Sequence, residues 1–138
     1  MNRADFQNLA LIRLAEAKAL LVSGNPNGAY YLAGYVVECA LKACIARQTR
    51  AEDFPPRPEL VREMYTHEPI KLLRQAGLDA ALNAQRSSDP AFRDNWAQVV
   101  AWTVEKRYLT FTHPEAQSLL DAIENPTEGV LPWLQQYW

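Results

Sequence analysis

The stretch that most constrains this chain lies between Pro26 and Arg47. Ala29, Leu32, Ala33, Val36, Val37, Ala40, Leu41 and Cys44 recur there at i, i+3, i+4, i+7, i+8, i+11, i+12 and i+15. That is the period of one continuous helix face. Many of these side chains are small, so a neighbouring helix can approach closely. The reverse side carries Tyr31, Gly34, Tyr35, Glu38 and Lys42. Before it, Ser23-Gly24-Asn25-Pro26 reads as a helix junction. Gly24 closes one helix in a left-handed conformation, Asn25 caps the next, and Pro26 takes the first position, where a missing N–H costs nothing. The preceding helix runs from about Asp5 to Val22, with Phe6, Leu9, Leu11, Ile12, Leu14, Ala15 and Leu20 forming a broad apolar face. The two helices therefore form a tight antiparallel hairpin.

Further along, Asp53-Phe54-Pro55-Pro56-Arg57-Pro58 excludes regular helix and predicts a long connection. A short helix follows from about Glu68 to Ala76, with Ile70, Leu72 and Leu73 as core candidates, and Gly77 punctuates it. A second short piece covers Leu78 to Asn83. Asp89-Pro90 starts a helix that extends to about Lys106, with Phe92, Trp96, Val99, Val100 and Thr103 inward. His113-Pro114-Glu115-Ala116 starts the last long helix, which Asn125-Pro126 kinks or breaks. Trp96 and Trp102 read as core. Trp133, Tyr137 and Trp138 form an aromatic end that folds back on the bundle or meets another subunit. No stretch alternates with period two between turns, so no sheet is expected. The reading is a single all-α domain over residues 1–138, an antiparallel bundle of four to five helices.

Composition narrows the function classes. With 49% hydrophobic and 22% charged residues in 138, the chain is globular and large enough for one core. The net charge of -2 argues against global attraction to nucleic acid. Charge is uneven: Lys and Arg are absent after Arg107, while the span from Lys42 to Arg74 is mixed and partly basic. Cys39 and Cys44 sit inside the apolar pattern and read as reduced thiols of a cytoplasmic protein. No metal-ligand spacing, glycine-rich phosphate loop or nucleophile beside a base is present, so no metal or cofactor is expected. A signal segment and a bilayer-spanning run are also not expected.

Three segments carry a family resemblance. The helix-two stretch resembles the pattern A-x-Y-L-A-G-Y-x-x-E-x-x-L-K-A, through Ala29, Tyr31, Leu32, Ala33, Gly34, Tyr35, Glu38, Leu41, Lys42 and Ala43. The later stretch Thr66, His67, Leu72, Leu73 resembles T-H-x-(apolar)-x-x-L-L, and Trp102, Arg107, Tyr108 resemble W-x-x-x-x-R-Y. Together they are similar to HEPN domains, small helical bundles of prokaryotic nucleotidyltransferase partners, toxins and defence proteins. The resemblance implies a HEPN-like bundle, commonly a homodimer, with one of two activities. Many HEPN proteins are metal-independent ribonucleases that pair an R-x(4–6)-H motif across a dimer. Others bind nucleotides or protein partners, often a nucleotidyltransferase-type antitoxin.

Arg107 and His113, with five residues between them, fit that ribonuclease spacing. A neutral histidine can take a proton from a 2′-hydroxyl, and an arginine can stabilise phosphate charge. The alternative is that Arg107 serves a helix C-terminus and His113 is an exposed loop residue. Tyr31, Tyr35, Glu38 and Arg107 are candidates for a nucleotide pocket. Glu38 has two readings: an i,i+4 pair with Lys42, or a polar contact across the bundle to Arg107. His67 reads as a structural residue capping the short helix or hydrogen-bonding in the bundle. The leading expectation is a protein that binds nucleotide, RNA or a partner within a toxin–antitoxin or defence pair. The alternatives are an active endoribonuclease and a non-catalytic module for a nucleotidyltransferase.

Overall fold

Helix starts and stops follow local chemistry closely. α1 (Arg3–Val22) opens with a reciprocal capping box between Asn2 and Asp5. It ends at Gly24, whose φ of +80° is the left-handed conformation expected of it. α2 (Pro26–Gln48) follows at once with Pro26 in its first turn, although the Asn25 side chain caps nothing and turns back to Ser23. The computed structural model describes residues 1–49 and 58–138. Of the expected proline-rich connection, 53–57 lies outside the described residues, and Pro58 already begins α3 (Pro58–Glu63). Then come α4 (Pro69–Gln75), α5 (Asp79–Ser88), α6 (Pro90–Val100), a 3-10 helix (Val104–Tyr108), α7 (His113–Glu124) and α8 (Val130–Gln135). The all-α bundle stands, with no strand among the described residues. Among the described residues the α-helices number eight, because short α3, α4, α5 and α8 join the four long ones.

α2 is the axis. α1 lies along it, and α4, α7, α8 and the 3-10 helix close the remaining sides. The seam with α1 is built from Ala10, Ala17 and Leu21 against Ala29, Ala33, Val36, Val37 and Ala40, all buried. Small residues on both helices let the backbones approach, and this rotation leaves Leu11 and Ile12 on the outer face rather than in the core. The reverse side of α2 is covered too: Gly34 and Glu38 are buried. α2 is long and apolar enough to cross a membrane, with a mean hydropathy of 1.3 and 67% of that window buried. This corrects the expectation that no run reaches that measure. In the fold it is the enclosed central helix.

α6 ends six residues earlier than its pattern suggests. At Trp102 the chain leaves the helix axis so that the indole turns into the core, 1% exposed. Thr103 is then extended and exposed, not inward, and the 3-10 helix follows. Ile70 is likewise exposed, while Leu72 and Leu73 fill the core from α4. α6 and α7 run antiparallel, with Gln98 bonded to Ser118 at 2.8 Å and Asn95 to the Glu128 carbonyl at 2.9 Å. The aromatic C-terminus folds back: Trp133 packs on Phe92, Trp96 and Tyr137, and Arg3 donates to the carbonyl of Trp138.

Candidate functional site

The three segments that are far apart in sequence converge beside the middle of α2. Gly34 makes room for the Trp102 indole, because a Cβ at that position would overlap the ring. Tyr31 and Tyr35, one turn apart, stand on either side of it, with Trp102 ring-centre distances of 6.0 and 5.3 Å. Their hydroxyls are 2.8 Å apart. Burial first, and then the Tyr31 hydroxyl, push the Tyr35 phenol well above its ordinary pKa, against the opposing charge of Arg107. The Trp102 Nε1 is buried without a hydrogen-bond partner among the described residues.

One turn further along α2, Glu38 is 5% exposed. Lys42 donates to its Oε1 at 2.7 Å, and His67 Nδ1 lies 2.9 Å from its Oε2. Of the two expected readings of Glu38, the pair with Lys42 is present and the contact to Arg107 is not. The pair with Lys42 forms but is largely buried, and the contact across the bundle goes to His67, not Arg107. His67 ties the segment before α4 to α2, and its ring also meets Tyr35 edge-on at 6.1 Å. The structural reading of His67 did not include Glu38 as its partner. The signal was present in the sequence, since both residues lie in the segments that carry the resemblance.

Arg107 sits in the 3-10 helix, exposed, with its guanidinium 4.8 Å from the Tyr108 ring centre. The hydroxyls of Tyr108 and Tyr31 raise its pKa further. No carboxylate stands within ion-pair distance of it among the described residues. Arg107 thus lies beside Tyr31 and near Tyr35, whereas Glu38 faces His67.

His113 is placed elsewhere. It opens α7 and lines a cleft of about 590 Å3 between α6 and α7, with Asp94, Gln98, Gln117 and Asp121. Arg107 does not line this cleft. Between the two regions, Tyr30 stacks on Phe111 at 3.7 Å and 5°. Thr112 and Glu115 form a capping box at the start of α7, a T-x-x-E signature that sequence reading passed over in favour of the His-Pro step.

A cavity of about 470 Å3 lies next to the convergence, between the segment before α4 and the 3-10 helix. His67, Trp102, Thr103, Val104 and Glu105 line it; Tyr31, Tyr35 and Arg107 do not. The hydroxyl of Thr103, and then the residue's own backbone N–H, hold the Glu105 carboxyl below the usual range. No group of three metal-ligating side chains occurs among the described residues. In comparisons with known proteins, no family model, no curated protein and no solved structure matches the chain.

Proposed function

We propose that this chain is a small HEPN-type binding protein that holds a nucleotide, or a single-stranded segment of RNA, on the surface of Tyr31, Tyr35, Arg107 and Tyr108. The observation that carries this reading is Arg107 itself: exposed, without a carboxylate partner among the described residues, and laid over an exposed tyrosine. A guanidinium offers a fork of donors suited to phosphate and keeps its charge at any physiological pH. Tyr108, 75% exposed, offers a face on which a base can stack. Such stacking is worth about 1–3 kcal/mol per base when truncated to alanine.

The family part of the reading is supported by the convergence of Gly34, Tyr35, Glu38, His67, Trp102 and Arg107 from the three resembling segments. A family member of this kind would act as a homodimer, or beside a nucleotidyltransferase-type partner in a toxin–antitoxin or defence pair. Metal-independent RNA cleavage is the alternative. Arg107 lies on the 3-10 helix and His113 lines the α6–α7 cleft, so this alternative would draw the two residues from different copies.

The test is titration of cytidine monophosphate and a short single-stranded RNA into wild type and Arg107→Ala, with metal-free RNA cleavage assayed in parallel on wild type and His113→Ala. Binding that weakens roughly tenfold in Arg107→Ala, without cleavage, is the expected result. Cleavage abolished in His113→Ala moves the conclusion to the ribonuclease. Binding unchanged in Arg107→Ala removes the nucleotide reading.

A further inference from the structure

The cavity beside the convergence has a polar pattern that the phosphate-binding reading leaves unused. His67 reaches it with one ring nitrogen already committed. Glu38 accepts from Lys42 at one oxygen and faces His67 Nδ1 with the other, so the tautomer that completes this contact carries its hydrogen on Nδ1. That leaves Nε2 as a lone-pair acceptor, and the buried carboxylate fixes the ring orientation much as an outer-shell carboxylate fixes a metal-bound histidine. Glu105 lines the same cavity and offers a second acceptor, its carboxyl held below the usual range by Thr103 and its own backbone. The walls between them are apolar, from Val100, Trp102 and Val104. A volume of about 470 Å3 is in the range of small-ligand sites.

Two acceptors together with the apolar faces of Trp102, Val100 and Val104 suit a planar group that brings N–H donors. The cavity is unsuited to phosphate: no Lys or Arg lines it, and Glu68 and Glu105 repel anions. Arg107 stands outside it, on the same 3-10 helix as Glu105. We propose that this cavity is a base-recognition pocket, in which His67 Nε2 and the Glu105 carboxylate select a nucleobase bearing an exocyclic amino group while Arg107 holds the phosphate outside. The inference rests on the nucleotide reading above, keeps Arg107 as the phosphate contact, and seats the discriminated base in this cavity instead of on Tyr108. Cytosine presents an N4 amino donor, whereas uracil presents a carbonyl oxygen at the same place. Uracil would set its carbonyl oxygen against the Glu105 carboxylate, acceptor against acceptor, and so forfeit that hydrogen bond. His67 and Glu105 are binding residues here, and Glu38 is a positioning residue.

The experiment compares cytidine and uridine, which lack phosphate, with the corresponding monophosphates. Binding is followed by the NMR shifts of the His67 ring and by calorimetry, on wild type, Glu105→Gln and Arg107→Ala, each checked for its helical spectrum. Cytidine is expected to bind roughly tenfold more tightly than uridine. Glu105→Gln should bring the two within about twofold, since an amide can pair with either edge. Arg107→Ala should leave the nucleoside preference intact and weaken only the monophosphates. Equal binding of the two nucleosides, or a preference unchanged in Glu105→Gln, overturns the pocket. Monophosphates that bind through Arg107 while neither nucleoside binds overturn the pocket alone. Nucleoside preference with monophosphate affinity indifferent to Arg107→Ala overturns the phosphate reading alone, and no binding of any ligand overturns both.

Discussion

The Trp102 indole occupies the space that a side chain at Gly34 would need. A glycine inside a helix ordinarily costs about 1 kcal/mol relative to alanine. Here the absence of a Cβ lets the largest side chain of the core lie directly on the α2 backbone. Gly34→Ala should therefore lower stability by roughly 1–3 kcal/mol despite the better helix former, because the indole must move. Urea denaturation of the two proteins measures this. A Gly34→Ala protein as stable as wild type would show that the indole relocates without cost.

Glu38 joins two partners from inside the core. Glu38→Ala removes the acceptor for both Lys42 and His67, and should cost about 2–4 kcal/mol, toward the lower end because the His67 side chain is 47% exposed. Glu38→Gln keeps the shape and one acceptor, so it should cost less and should release the His67 ring from a single orientation. Denaturation curves read the first effect, and His67 ring NMR the second. Equal costs for the two variants would mean that packing, not hydrogen bonding, explains the residue.

Arg107 is exposed and carries no ion pair among the described residues, so Arg107→Ala should change stability by no more than about 0.5 kcal/mol. The same variant should lose ligand affinity, which separates binding from folding in one protein. A large loss of stability would assign Arg107 to the fold.

Burial pushes the Cys39 thiol up to about 11 and the Cys44 thiol up to about 12. For a group whose folded pKa is raised, the associated stability is complete below the unfolded value, near 9.0, and is lost as pH rises towards the folded value. Stability should accordingly fall between about pH 9 and pH 12. At pH 8, near the ordinary thiol value, a thiol-specific reagent should modify both cysteines only as fast as the chain opens. Rapid modification of native protein at that pH would contradict their burial.

The α7 capping box makes a further local test of the fold. Thr112→Ala should cost about 1 kcal/mol, as loss of an N-cap usually does. The backbone N–H and hydroxyl of Thr112 hold the Glu115 carboxyl below the usual range. A depressed carboxyl contributes stability above its unfolded pKa and loses it as pH falls through the folded one. Thr112→Ala should weaken that acid dependence only in part, because the backbone N–H, the larger cause, remains; the midpoint of unfolding against pH measures it. A Thr112→Ala protein as stable as wild type would mean that the box is not formed in solution.

How much of this was legible beforehand depends on the range of the forces involved. Gly24, Asp89-Pro90 and Asn125-Pro126 act within a few residues, and they mark helix boundaries in the structure much as they do in the sequence. The α1–α2 hairpin followed from them and from the apolar period of α2. Helix faces were harder. Leu11 and Ile12 look more apolar than Ala10 and Ala17, yet close approach of two backbones prefers the alanines. The end of α6 was hidden because Val104 and Tyr108 continue an acceptable helical pattern, and only the long-range contact of Trp102 with Gly34 draws the chain off axis. The candidate site was legible in part. Tyr31, Tyr35 and Arg107 do gather, but the partner of Glu38 is 29 positions away, and no local rule selects His67 over Arg107.

The enclosure of α2 also has a consequence for the order in which the chain emerges from a ribosome. Of the helices around α2, only α1 precedes it; α4, the 3-10 helix, α7 and α8 are translated afterwards. A nascent chain therefore carries a long oily rod with one side covered and the others bare until the last segments are synthesised. Chains arrested before α7 should be the aggregation-prone or membrane-seeking species, and factors that shield emerging polypeptides should matter most during that interval.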